Sequence, residues 1–142
     1  YDVNQLPPNI KIKGSQINNY ELFKDIDILL LPWLWHESGS RLIYEAYAYG
    51  IPVIGFNTGG SAELIGKFKK NLFDSPKVYF DNNYILRIHN WEPNAICKRI
   101  YEIINDYKNE SEEIKRFYKN LELDLNCNKK LNEIINFVDN NS

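Results

Sequence analysis

Two carboxylates, Glu37 and Glu45, stand eight positions apart across Glu37-Ser38-Gly39-Ser40-Arg41-Leu42-Ile43-Tyr44-Glu45, with small residues between them. Eight helical residues rise ~12 Å and turn through about 80°, so both acids can lie on one side of a helix, well separated along its axis. The first N–H groups of such a helix are unpaired and carry partial positive charge, which suits a phosphate. Gly39 lets the backbone approach closely, and Ser40 is a helix-capping residue type. Carboxylates accept hydrogen bonds from hydroxyls. A ligand with hydroxyls at both ends and a diphosphate between them, a sugar nucleotide, matches this layout.

The elements that must position these residues read as alternating strands and helices. Asp27-Ile28-Leu29-Leu30-Leu31-Pro32 is a continuous apolar run stopped by proline, the pattern of a parallel strand covered on both faces. Trp33 to Ser38 is then the loop at its carboxyl end, and Ser40 to Tyr49 forms a helix. Leu42, Ile43, Ala46 and Tyr47 make its apolar stripe, and Ser38, Arg41, Glu45 and Tyr49 its polar face. Gly50 ends the helix, Pro52 to Phe56 is a second buried strand, and Asn57-Thr58-Gly59-Gly60 turns into a helix beginning near Ser61. Upstream, Asn9 to Gly14 alternates as a short strand and Asn18 to Ile26 as a helix. The expected fold class is α/β, a Rossmann-like open parallel sheet with flanking helices and a helical C-terminus. Ligands of such sheets sit outside the carboxyl ends of the strands. Gly14, Ser15 and Gln16 end the first strand on that edge, within reach of a nucleobase. Gly59 and Gly60 either shape the same cleft or merely make a tight turn.

Downstream, the stretch from Lys67 to Trp91 is irregular, with a strand possible at Lys77 to Phe80. Pro93 opens a helix to about Tyr107 that buries Ile96, Ile100, Ile103 and Ile104. Asn109 with Glu112 has the form of a capping box for a helix from Ser111 to Leu121, and Lys129 to Val138 repeats apolar residues at helical spacing.

A chain of 142 residues, 44% hydrophobic and 14% aromatic, suits one globular domain, and residues 1–142 are read as one nucleotide-sugar-binding unit. A net charge of −2 gives no basic field for nucleic acid. No apolar run approaches the roughly 18 residues of a membrane span, so the domain reads as soluble. Cys97 and Cys127 support neither a disulfide framework nor a metal site, and free thiols with no signal segment point to the cytoplasm. The chain begins at Tyr1 and holds no methionine, which reads as a piece of a larger protein.

The run from Asp27 to Ile65, roughly 39 residues, resembles the donor half of retaining GT-B glycosyltransferases of family four, the glycosyl transferases group 1. That half is their C-terminal Rossmann-like domain. The pattern is a buried strand ending in proline, an acid, seven residues, Glu-Ala, a Gly-x-Pro-Val-Ile strand, Gly-Gly and a Glu. Here these are Pro32, Glu37, Glu45-Ala46, Gly50-Ile51-Pro52-Val53-Ile54, Gly59-Gly60 and Glu63. The resemblance implies that Glu45 binds the ribose hydroxyls and that Glu37, the catalytic residue, sits against the transferred sugar and helps stabilise its developing positive charge. Amides from Ser38 to Leu42 would hold the diphosphate, and neither metal nor organic cofactor is implied. It implies a nucleoside-diphosphate sugar as donor and a carbohydrate or lipid-linked acceptor held by a missing N-terminal domain. It also admits peripheral membrane association of the whole protein. The sequence departs from the pattern at Trp33, where serine is common, at Ser38-Gly39-Ser40, where glycine-aromatic-glycine is more frequent, and across Lys67 to Trp91. The sugar therefore stays open.

Plainer readings compete at several positions. Arg41 either reaches a phosphate or pairs with Glu45 four residues on. His36 either meets a sugar or packs between Trp33 and Trp35, and His89 has no evident partner. Asp25-Ile26-Asp27 imitates a metal-binding pair but precedes its strand, opposite the ligand edge. A glycoside hydrolase would need carboxyls about 5 to 9.5 Å apart, nearer than this spacing gives. A nucleotide-binding module without catalysis and a sugar-nucleotide epimerase of the same fold remain alternatives.

Overall fold

The computed structural model describes residues 7–14, 19–36 and 38–124. Its elements in chain order are α1 (Asn19–Phe23), β1 (Leu29–Leu31), α2 (Arg41–Ala48), β2 (Val53–Phe56), α3 (Ser61–Ile65), a 3₁₀ segment (Gly66–Asn71) and β3 (Leu72–Phe73). There follow β4 (Lys77–Phe80), β5 (Leu86–His89), α4 (Pro93–Asn105) and α5 (Tyr107–Asp124). The helix expected at Lys129 to Val138 and Cys127 lie outside the described residues. Cys97 is an exposed free thiol.

β1, β2 and β3 pair in that order as a parallel sheet, with Leu30 opposite Ile54 and Gly55 opposite Leu72. Every residue of β2 is buried, as a central strand covered on both faces requires. Alternation along β2 splits the core in two. Val53 joins Ile43, Ala46, Tyr47, Ile65 and Ile114 beneath α2, α3 and α5, while Ile54 and Phe56 pack with Ile96 and Ile103 of α4. Helices therefore cover both faces of the sheet at β2, and the expected α/β class holds. Among the described residues β1 ends the strand order and its Leu30 is 44% exposed, so the run from Asp27 to Pro32 is not covered on both faces.

α2 forms where its periodicity predicts. Ile43, Ala46 and Tyr47 are buried, and Gly50 ends the helix at φ +71. A Cβ on Gly50 would lie 2.4 Å from Lys115 Cε and 2.7 Å from Ser111 Oγ, so the missing side chain also lets α5 lie close to α2. Tyr47 meets Phe68 and Phe117 edge-on at 5.5 and 6.0 Å, which fills the space between the helices.

Several expectations are corrected. Asn9 to Gly14 is not a strand: Pro7 and Ile10 close a turn through a 2.9 Å backbone bond, and Ile10 and Ile12 stay exposed. Two isoleucines among lysines bury too little to hold a ladder. The strand completing the parallel sheet is the two-residue β3, while the strand expected at Lys77 to Phe80 does form, paired antiparallel with Leu86–His89 as a separate hairpin. On α4 the buried residues are Ile96, Arg99 and Ile103, and Ile104 is 57% exposed. Arg99 is buried because it is satisfied: it donates to Asn71 Oδ1 at 2.7 Å and pairs with Glu110 at 2.6 Å and Glu102 at 3.3 Å. It thereby ties the approach to β3 to both C-terminal helices. α5 begins at Tyr107, so Asn109 lies inside it and donates to Asp106 Oδ1 at 2.6 Å instead of capping Ser111. No helix among the described residues is long and apolar enough to cross a membrane.

Candidate functional site

The three parallel strands point their carboxyl ends to one edge, where the loops after β1 and β2 meet. Thr58 donates its hydroxyl to the Trp33 carbonyl at 3.3 Å, joining the two loops. Gly60 lies directly against the first of them: a Cβ there would stand 2.1 Å from the Ser38 carbonyl oxygen and 3.2 Å from the Gly39 nitrogen. Only glycine permits this approach. Gly59 at φ +53 and Gly39 at φ +147 adopt backbone conformations that side chains disfavour. The Ser38–Gly39 and Gly59–Gly60 segments are thus in contact.

α2 starts at this edge. Ser40, 3% exposed, takes an extended N-cap conformation, and its hydroxyl accepts the Leu42 N–H at 3.2 Å. The amide of Leu42 is therefore spent on the cap. Amides of Ser38, Gly39, Ser40 and Arg41 precede it at the positive end of the helix. Arg41 pairs with Glu45 at 2.9 Å, the arginine side chain 89% exposed and the glutamate 20% exposed. This ion pair is one of the two readings of Arg41.

Gly14 lies in the exposed segment 7–14, with nothing near the position of a Cβ. Glu37 and Ser15 lie outside the described residues. His36 does not pack between the indoles, because Trp33 and Trp35 stack on each other with centroids 5.9 Å apart, leaving no space for an imidazole. His89 does have a partner, the Tyr79 hydroxyl at 2.9 Å from Nε2. Sequence reasoning passed over Thr58, whose joining bond only the fold reveals, and Ser61, a buried hydroxyl directly after Gly60 with no hydrogen-bond partner among the described residues. The Gly-Gly turn beside them was the available signal.

An open parallel sheet with helices on both faces, and a serine-glycine loop running into a helix at its carboxyl edge, defines a Rossmann-like α/β protein. The chain belongs to the glycosyl transferases group 1 family, which it matches over residues 4–121. Over 62 residues it is 36% identical to spore coat protein SA of Bacillus subtilis (strain 168), a stretch covering 41% of this chain and 16% of that protein. No solved structure matches the chain.

Proposed function

We propose that this domain binds a nucleoside-diphosphate sugar as the C-terminal half of a retaining GT-B hexosyltransferase. The sugar would pass to a carbohydrate or lipid-linked acceptor, with no metal required. The observation that carries this reading is the joined edge: the Gly59–Gly60 turn seated on Ser38–Gly39, immediately before the capped N-terminus of α2. In the proposed complex the amides of Ser38 to Arg41 and the helix dipole hold the diphosphate and stabilise it as it leaves. Glu45 accepts the ribose hydroxyls, which requires Arg41 to swing from Glu45 towards a phosphate or to share it. Leu42 contributes through the cap rather than through its own N–H. Gly14 and Ser15 would border the base. Glu37, from the family resemblance, would face the transferred sugar and stabilise its developing positive charge.

Calorimetric titration with UDP, GDP and ADP tests this reading, comparing the native chain with Glu45→Ala. The expected result is saturable binding of one nucleotide, weakened at least about tenfold, or about 1.4 kcal/mol, by the substitution. Equal affinity of the two proteins would leave Glu45 as the partner of Arg41 and nothing more. Absence of binding both here and in the whole protein would overturn the donor site.

A further inference from the structure

A second recess lies on the same sheet edge, on the β3 side, between the β4–β5 hairpin and the start of α4. It encloses about 800 Å³, within the range of small-ligand sites. Phe56, Phe73 and Ile96 give it apolar walls, and Asn57, Asp74, Ser75, Lys77, Asn90 and Glu92 its polar ones. Among the described residues, the side chains of Asn57, Asp74, Lys77, Asn90 and Glu92 make no hydrogen bond or ion pair. Amide, carboxylate and ammonium groups without internal partners thus surround one space. Trp91, between two lining residues, sets its half-exposed indole edge-on to Phe56 at 5.7 Å. Lys77 shares its face of the hairpin with Tyr79, Arg87 and His89, extending the polar surface beyond the recess.

The chemistry selects a ligand class. Two carboxylates against one lysine disfavour a phosphate, and the polar lining disfavours an acyl chain. Hydroxyl groups, which donate to carboxylates and accept from amides and ammonium, satisfy all of these partners, and an apolar sugar face can rest on an aromatic wall. We propose that this recess binds an uncharged saccharide. That the saccharide is the acceptor, reaching the ligand edge from the hairpin side, rests on the transferase reading above; the binding itself does not.

The test is two-dimensional NMR of the ¹⁵N-labelled chain, titrated with glucose, galactose, mannose, N-acetylglucosamine and their disaccharides to about 50 mM, where a millimolar Kd saturates. Trp91→Phe assigns the Trp91 indole resonance. The expected result is a saturable shift of that indole and of the Asp74 and Asn90 amides, with affinity reduced about fivefold or more in Asp74→Asn and Glu92→Gln. Both variants are near-isosteric, and dispersed spectra show whether they remain folded. No saturable shift with any of these sugars, equal affinity in folded variants, or tighter binding of inorganic phosphate would each overturn the proposal. UDP, GDP and ADP added separately keep the two readings apart. Sugar binding with nucleotide binding absent both here and in the whole protein removes the transferase reading alone, and nucleotide binding without sugar binding removes this one alone.

Discussion

β2 and the β4–β5 hairpin are strands of equal length built on opposite principles. All four residues of β2 are buried, whereas all four of β5 and three of β4 are exposed. β2 is held from both faces by α2, α3, α5 and α4. The hairpin is held largely by its own turn, where Asp81 accepts from the Asn83 and Ile85 amides at 2.9 and 3.0 Å and from Arg87 Nε at 2.9 Å. Its Tyr84 sits at φ +59, a conformation a tyrosine rarely adopts. The core therefore fixes the carboxyl edge of the sheet near α2, and local hydrogen bonds shape the wall beside β3. Substitutions in the first should change global stability, and those in the second only local order.

The largest effect is expected at Arg99. Arg99→Ala strips Glu110 and the buried Asn71 of their charged partner, and should cost about 3 kcal/mol in chemical denaturation. Arg99→Met combined with Glu110→Leu should recover much of that loss. A single-variant cost below about 1 kcal/mol would mean that the clamp is solvated and decides nothing. Next is Gly60→Ala, whose methyl would collide with the backbone of Ser38 rather than with a flexible side chain. It should cost about 2 kcal/mol and weaken nucleotide binding together with stability. Unchanged denaturation would show that the two loops are not packed as described.

A paired substitution sharpens the contrast. The Tyr47 hydroxyl is buried without a hydrogen-bond partner among the described residues, and burial pushes its pKa well up. Tyr47→Phe removes the orphaned group while keeping the ring against Phe68 and Phe117, and should stabilise by about 1 kcal/mol. Tyr79→Phe deletes an exposed bond to His89 and should leave global stability within about 0.5 kcal/mol. Equal and opposite shifts in denaturation midpoint would contradict the division between core and hairpin.

The division also governs what could be read from sequence. α2 and β2 were legible because burial imposes a period on their residues: 3.6 for Leu42, Ile43, Ala46 and Tyr47, and an unbroken apolar run for Pro52 to Phe56. β3 was not, since two residues, Leu72 and Phe73, carry no period. Asn9 to Gly14 shows the converse, an alternation with no sheet behind it. Asn109 and Glu112 have capping chemistry yet lie within α5, because the chain bends one turn earlier at Asp106, whose carbonyl already receives the Glu110 N–H at 3.1 Å. At the ligand edge the glycines and Ser40 announced themselves by type. The Thr58 link and the polar recess did not, because both join residues far apart in the chain. The burial of Arg99 was not legible either, because two of its acceptors, Asn71 and Glu110, come from other segments.

The smallest predicted effect isolates the hairpin by pH. Hydrogen bonds from the Ile85 amide, from Arg87 and from the Asn83 amide favour the ionised form of Asp81 and lower its pKa below the usual 3.8. A carboxylate with a lowered folded pKa supports its structure fully above the unfolded value, and that support is lost as pH falls through the folded one. The hairpin turn should therefore be intact above about pH 5 and loosen as the medium is acidified from about pH 4 downwards. Amide shifts and hydrogen exchange at Asn83 and Ile85, compared with Ile54 in β2, measure this directly. Asn83 and Ile85 should titrate first, while Ile54 stays protected, and Asp81→Asn should abolish the early step. Simultaneous loss at all three amides would mean that the hairpin shares the cooperativity of the core, making the wall beside β3 as firmly specified as the edge beside α2.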